Sequence, residues 1–388
     1  MSGRIIVPPR RVYIVSSGTA VGHEENAGPL GGKFDVADTE DDRFGMDSYE
    51  KSEAQMQKVA LEYAIKKAGL CENDVEVIFA GDLLNQCVSS AYAYAENEIP
   101  FLGLFGACST AAQGLLTAAV FASFAADCAA AVTSSHNCTS ERQFRFPLEY
   151  GAQRPPTAQW TVTGAGAFIV CAEGGTHADR GKPDEGGPCS CGCADKAYAE
   201  GNADVGGTHA DCDTPAEGGT PSDRGKPAGF NVEIAAVLPG ISRDYGINDA
   251  NDMGAAMAPA AADTILRYLS LSGTKPEDYS MIATGDLGLR GSELLRGLCE
   301  SHGVDISGVH TDCGVRIYDI DGQDKHSGGS GCGCSAVVLA ADILPRIRSG
   351  ELSDVLFVGT GALMNPQALM QGENIVGIAH LVHLRGVK

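Results

Sequence analysis

Runs of apolar residues alternate with helically spaced ones along this chain, and the rhythm is set out twice. Val12–Ser16 reads as a strand, and the polar, glycine-rich stretch Gly18–Gly32 after it predicts a long loop of the kind that often carries function. From Ser48 to Ala68 the residues Met56, Val59, Ala60, Tyr63, Ala64 and Ile65 recur at helical spacing, and Gly69 supplies the stop. Val75–Ala80 is a strand running into Gly81-Asp82, and Ser89–Asn97 is a short helix. The apolar run Phe101–Phe105 breaks at Gly106, and Cys108-Ser109-Thr110 opens an Ala/Leu-rich segment that predicts a buried helix. Ala129–Thr133 is a further apolar strand emptying into Ser134-Ser135-His136-Asn137, and Thr161–Val170 is another.

After an interruption the pattern starts again. Val232–Val237 is a strand, and Asp252–Leu269 is a helix whose firm start is expected at Pro259. Met281–Thr284 ends in Gly285-Asp286-Leu287, repeating Gly81-Asp82-Leu83, and Ser292–Ser301 is a helix. Ser327–Cys334 then leads into apolar Ala336–Ile343, as the turn at Cys108 leads into its helix, and Val355–Gly359 follows as Ala129–Thr133 did. Alternating strands and helices predict a parallel sheet covered on both faces, with the site at the strands' C-terminal ends. Three loops at that edge carry Asp82, Cys108 and His136. The repetition predicts a duplicated, pseudo-symmetric α/β fold, divided into a first half (1–173), an insertion (174–228) and a second half (229–388).

In the insertion, the large apolar side chains between Gly174 and Ala228 are Tyr198 and Val205 alone, too few for a core of its own. It repeats GGTHAD at Gly174 and Gly206 and DRGKP at Asp179 and Asp223. Cys189, Cys191, Cys193, Cys212, His177 and His209 give it soft ligands, but the CSCGC spacing matches no closed zinc pattern. A solvated linker and a metal-binding tract both stay open there. No metal or cofactor is expected elsewhere.

The charge balance is 28 Lys+Arg against 50 Asp+Glu, a net −22, which argues against nucleic acid as a partner. Met1–Arg11 carries three arginines without the apolar core of a secretory signal, and the nearly apolar run Leu115–Ala126 is too short to cross a bilayer, so a soluble chain is expected. The 14 cysteines are scattered and are read as reduced thiols, with Cys71, Cys128, Cys171 and Cys299 as small core residues.

Six motifs are specific: AGDLLNQ (80–86), LFGACST (104–110), SSHN (134–137), ERQFRFPLEYG (141–151), DMGAAMAPAAADTI (252–265) and GGSGCGCSAVV (328–338). They resemble the stage V sporulation protein AD (SpoVAD) family of the thiolase superfamily. That resemblance implies a thiolase-like duplicated five-layer α-β-α-β-α fold. It also implies a protein of endospore formers that binds dipicolinic acid (pyridine-2,6-dicarboxylate) and supports its uptake into the spore. The implied setting is a SpoVA complex with other subunits at the spore inner membrane, and a homodimer.

By the same resemblance Cys108 stands where a condensing enzyme keeps its nucleophile. The partner groups differ. Where thiolases carry Gly-His-Pro this chain has Ser327-Gly328-Gly329-Ser330, and their late Cys-x-Gly appears as Gly359-Thr360-Gly361-Ala362. His310 and His326 are the candidate substitutes. An acyltransferase using Cys108 is therefore the alternative to a non-enzymatic binding protein.

A planar dicarboxylate asks for amide and hydroxyl donors, a cationic fork and apolar walls. Ser109, Thr110 and the helix start behind Cys108 offer the first, and Ser330, Gly331 and Cys332 offer a facing nest. Arg142 and Arg145, a helical turn apart, offer the fork or simply pair with Glu141 and Glu149. Asp82 at the same edge holds a hydroxyl, a cation or its own loop, and Asp286 is assigned a structural role. Cys108 reads either as a structural or pocket-lining residue or as a reactive thiol, and His136 reads as pocket-lining or not.

Overall fold

A computed structural model describes residues 4–143, 154–174 and 231–388, with side chains left out for 141–143. The first half comprises β1 (Val12–Val21), α1 (Tyr49–Ala68), β2 (Ile78–Gly81), α2 (Val88–Tyr94), β3 (Phe101–Gly103), α3 (Thr110–Phe124), β4 (Cys128–Ser135) and β5 (Gly164–Ala172). The second comprises β6 (Asn231–Leu238), α4 (Met253–Ser272), β7 (Met281–Thr284), α5 (Gly288–Ser301), β8 (His310–Asp312), α6 (Cys332–Val338), β9 (Asp354–Leu363) and β10 (Val376–Val387). These strands run in one order, β8-β7-β9-β10-β6-β1-β5-β4-β2-β3. The two halves mirror each other about the β1–β6 junction, where Tyr13 faces Glu233.

The layers follow from strand alternation. On β2, Phe79 faces α3 within the central core, while Ile78 and Ala80 face α1. On β9, Val355 and Phe357 join that central core while Leu356 and Val358 pack under α4. Ala111, Leu115, Ala118 and Ala122 of α3 and Val337 and Val338 of α6 fill the space between the two sheet halves. The result is five layers, helix–sheet–helix–sheet–helix. Small alanines on α3 let both halves approach it closely, and α3 touches β4, β5, β9 and β10. The window Ala107–Phe124 is long and apolar enough to cross a bilayer, against the shorter run counted from the sequence. It is 67% buried here as the central helix.

Several expectations are corrected. The sheet is mixed, because β5 and β10 run antiparallel to both neighbours. The Gly18–Gly32 loop is shorter, since β1 continues to Val21. Its Ser16 hydroxyl donates to Ala64 O of α1 at 2.6 Å, and a Cβ on Gly18 would sit 2.0 Å from Ala60 O, so small polar residues here mark a helix pressed on a strand. Helix α4 starts at Met253 with Asp252 as its cap, leaving Pro259 inside it. The sequence reading placed no element on β8 or β10. Cys128 and Cys171 face each other across β4 and β5 and form a disulfide, against the reduced state expected for them. The insertion's cysteines and histidines lie outside the described residues.

Candidate functional site

The N-termini of α3 and α6 converge where the two halves meet. Before α3 the chain turns through Ala107 at φ +49, a conformation a non-glycine residue adopts only under constraint. The constraint is local. Ser109 Oγ donates to Gly106 O at 2.6 Å, and Thr110 Oγ1 donates to Ala107 O at 2.7 Å while accepting the Gly106 N–H at 3.1 Å. From the other half, Gly359-Thr360-Gly361 of β9 presses on this turn. A Cβ at Gly361 would lie 2.5 Å from Gly106 O, and one at Gly359 would lie 2.6 Å from Ala112 Cβ. Glycine at both positions is what lets β9 close on the turn at Gly106 and Ser109.

A cavity opens at this junction. Leu83, Phe105, Ala107, Met253, Ala362 and Met364 give it apolar walls, and Cys108, Ser140, Thr161 and Ser330 are its polar lining. It holds about 40 Å³ of water-accessible space, small beside a typical small-molecule site. Ser140 is 3% exposed, and its Oγ has no hydrogen-bond partner among the described residues. Lys, Arg and His are absent from the described lining.

Behind Cys108 sits Asp286, fully buried at the end of β7. Gly331 N–H donates to its Oδ2 at 2.8 Å and Thr360 Oγ1 to its Oδ1 at 2.8 Å, and the nearby Cys108 thiol favours the charged form of the same carboxyl. Burial pushes the Asp286 carboxyl up to about 7, against the lowering effect of these donors. The donors gathered where two helix starts meet are therefore spent on a carboxylate of the chain itself.

The other predicted residues divide. Cys108 and Ser330 line the cavity; Gly331 feeds Asp286; Cys332 packs on Cys108 and Leu83 and donates its thiol to Ser134 O at 2.9 Å. The hydroxyls of Ser109 and Thr110 are committed to the turn. Asp82 is buried away from the cavity, accepting Leu84 N–H at 2.8 Å, Ser90 N–H at 2.8 Å and Ser90 Oγ at 2.7 Å, so it holds its own loop and the start of α2. His136 turns toward the first half's outer layer. Its Nε2 pairs with Asp42 O at 2.9 Å, its Nδ1 accepts Cys138 N–H at 3.2 Å, and its ring lies 5.1 Å from Tyr49. His310 bonds Thr284 Oγ1 at 3.0 Å and His326 lies beside Asp324 at 3.1 Å, neither on the cavity. Arg142 falls in the helix Asn137–Gln143, but its side chain, and all of Arg145, lie outside the described residues.

Two groups escaped the sequence reading. Ser140 and Met364 line the cavity without any signal in the sequence pattern, and Thr161 and Met253 line it from stretches read only as a strand and a helix. A buried polar network also runs under α1, where Glu53 accepts Ser134 Oγ at 2.9 Å and Thr139 Oγ1 at 3.0 Å, and Gln57 donates to Ser90 Oγ at 2.9 Å and Ser134 Oγ at 2.7 Å. Burial, then nearby Asp82, pushes Glu53 up. The signal was present: Glu53 and Gln57 stand one turn apart on the face that carries Met56 and Ala60 inward.

Sequence comparisons give the family, and structure comparisons give the fold. A profile described as stage V sporulation protein AD (SpoVAD) matches residues 4–180 and 225–385. Stage V sporulation protein AD of Bacillus subtilis (strain 168) is 37% identical over 371 residues, covering 95% of this chain and 93% of that protein. Among solved structures, OleA of Xanthomonas campestris superposes with a TM-score of 0.54 at 12% identity, over 99% of this chain and 100% of that one. The 3-oxoacyl-(acyl carrier protein) synthase III, FabH, of Pseudomonas aeruginosa PAO1 does so with a TM-score of 0.53 at 14% identity, over 98% and 99%. These two share the thiolase-like fold, and the chain belongs to the stage V sporulation protein AD family.

Proposed function

We propose that this chain is a dipicolinate-binding protein of the SpoVA complex and that the cavity at Cys108 is its ligand site. The ligand comes from the family resemblance. What supports placing it here is that the described lining offers a thiol, three hydroxyls and apolar walls, a set suited to holding a flat heteroaromatic acid. A pyridine ring needs more room than the cavity now offers, and Met253 and Met364 are unbranched side chains that yield readily. Association with other SpoVA subunits at a membrane, and homodimerisation, belong to the same proposal. The test is equilibrium binding of dipicolinate to the purified protein, with Cys108→Ala and Arg142→Ala as probes. Saturable binding weakened by Cys108→Ala supports the site, and its absence in the unmodified protein rejects the reading.

One observation favours a second reading, acyl transfer. The Cys108 thiol lies near the Asp286 carboxyl, held at about 7 by burial, and such a group can take a proton near neutrality. Mass-spectrometric detection of acyl-Cys108, with selective alkylation by iodoacetamide, would support it. A thiol that reacts no faster than a free one would count against it.

A further inference from the structure

We propose that the cavity at Cys108 takes a carboxylate ligand together with one proton, and that Asp286 is the residue that receives the proton. This rests on the dipicolinate reading. Two donors, Gly331 N–H and Thr360 Oγ1, already serve Asp286, and the cavity-lining Cys108 thiol lies near it, so the chain carries an anion of its own behind the cavity wall. A ligand carboxylate approaching Cys108 meets that anion in a dry setting, where like charges repel strongly.

The charged groups around Asp286 do not relieve this. Asp312, at the end of β8, adds a second carboxylate, and Cys313, Cys332 and Cys334 are buried thiols that Asp286 itself pushes further from ionisation. From β9 the neighbour is the neutral Thr360, and from the turn before α3 it is Cys108. Protonation removes the repulsion and frees one donor for the ligand. The unpartnered Ser140 Oγ, buried in the cavity's described lining, offers a second. The carboxyl of Asp286 stands at about 7, so both of its states are populated where the protein would work.

Calorimetric titration of dipicolinate into the full chain, in buffers of different ionisation enthalpy, reads the protons taken up. Dipicolinate's own carboxyls ionise well below neutrality, so uptake reports on the protein. If only the protonated form binds, apparent affinity falls about 25-fold between pH 6.5 and 8.5, in proportion to the competent fraction. Uptake approaches one proton at the alkaline end. Asp286→Asn, a neutral isostere, binds with affinity independent of pH and takes up no proton. Saturable wild-type binding with no uptake overturns this inference alone, and so does uptake that persists in Asp286→Asn. No binding at any pH overturns the dipicolinate reading and this inference with it. The wild-type measurement stands without the variant.

Discussion

Thr360 Oγ1 donates to Asp286 Oδ1 at 2.8 Å, joining β9 to the end of β7 directly behind Cys108. Thr360 stands between two glycines because β9 must press on the turn that holds Cys108. Replacing Gly361 with Ala puts a Cβ 2.5 Å from Gly106 O, a backbone atom that cannot yield without moving the turn. The expected cost is about 1–3 kcal/mol in urea unfolding, with weaker dipicolinate binding because Cys108 moves too.

Ser140 separates function from stability. Its hydroxyl is buried without a partner in the described structure, so Ser140→Ala removes a desolvation cost rather than a bond. Unfolding midpoints should stay level or rise, while dipicolinate affinity drops by about 1 kcal/mol, or roughly fivefold, for one lost hydrogen bond. A loss of stability with unchanged affinity would show that the hydroxyl serves the fold.

Buried acids set the pH dependence of stability. Burial raises Glu25 and Asp286 to about 7 and pushes Glu53 up as well. In this range the native state holds more protons than the unfolded state, so the unfolding free energy falls as pH rises. His310, His380 and His383, lowered by burial, oppose this trend near pH 6.5, where unfolded histidines still bind protons, and contribute little above about pH 7.5. Urea unfolding should show a loss of about 2 kcal/mol between pH 6.5 and 8, shrinking in Asp286→Asn. Stability that rises over that interval would contradict the assignment.

In the second half, Tyr268 Oη donates to His383 Nδ1 at 3.0 Å, and His383 Nε2 pairs with Asp354 Oδ1 at 2.8 Å, tying α4 to β10 and β9. Tyr268→Phe leaves the buried Nδ1 unpaired. The expected cost is about 1–3 kcal/mol in unfolding free energy, with dipicolinate binding unchanged because the cluster lies off the cavity.

Much of the fold was legible because its burial repeats. The two Gly-Asp-Leu turns and two Gly/Cys turns before apolar helices revealed the duplication, and α1 with its Ser48 and Gly69 caps falls where the spacing put it. Buried strands built from small polar residues were not legible. Gly18, Thr19 and Ala20 read as loop although β1 runs through them to Val21 with α1 pressed on Gly18, and the Cys128–Cys171 bond depends on a register that no spacing reveals. At the site, position was legible and orientation was not. Asp82, Cys108 and His136 all follow C-terminal strand ends, yet only Cys108 faces the cavity, because Asp82 is drawn to the amides of its loop and His136 to Asp42 O. Asp286, assigned a structural role from its symmetry position, accepts Gly331 N–H and Thr360 Oγ1 where the two halves meet.

A crystal soaked with dipicolinate tests the central claim most directly. The account predicts a pyridine ring between Met253 and Met364, with a carboxylate against Cys108, Ser140 and Ser330. Dipicolinate bound at another place, or a cavity left empty at saturating ligand, would contradict it.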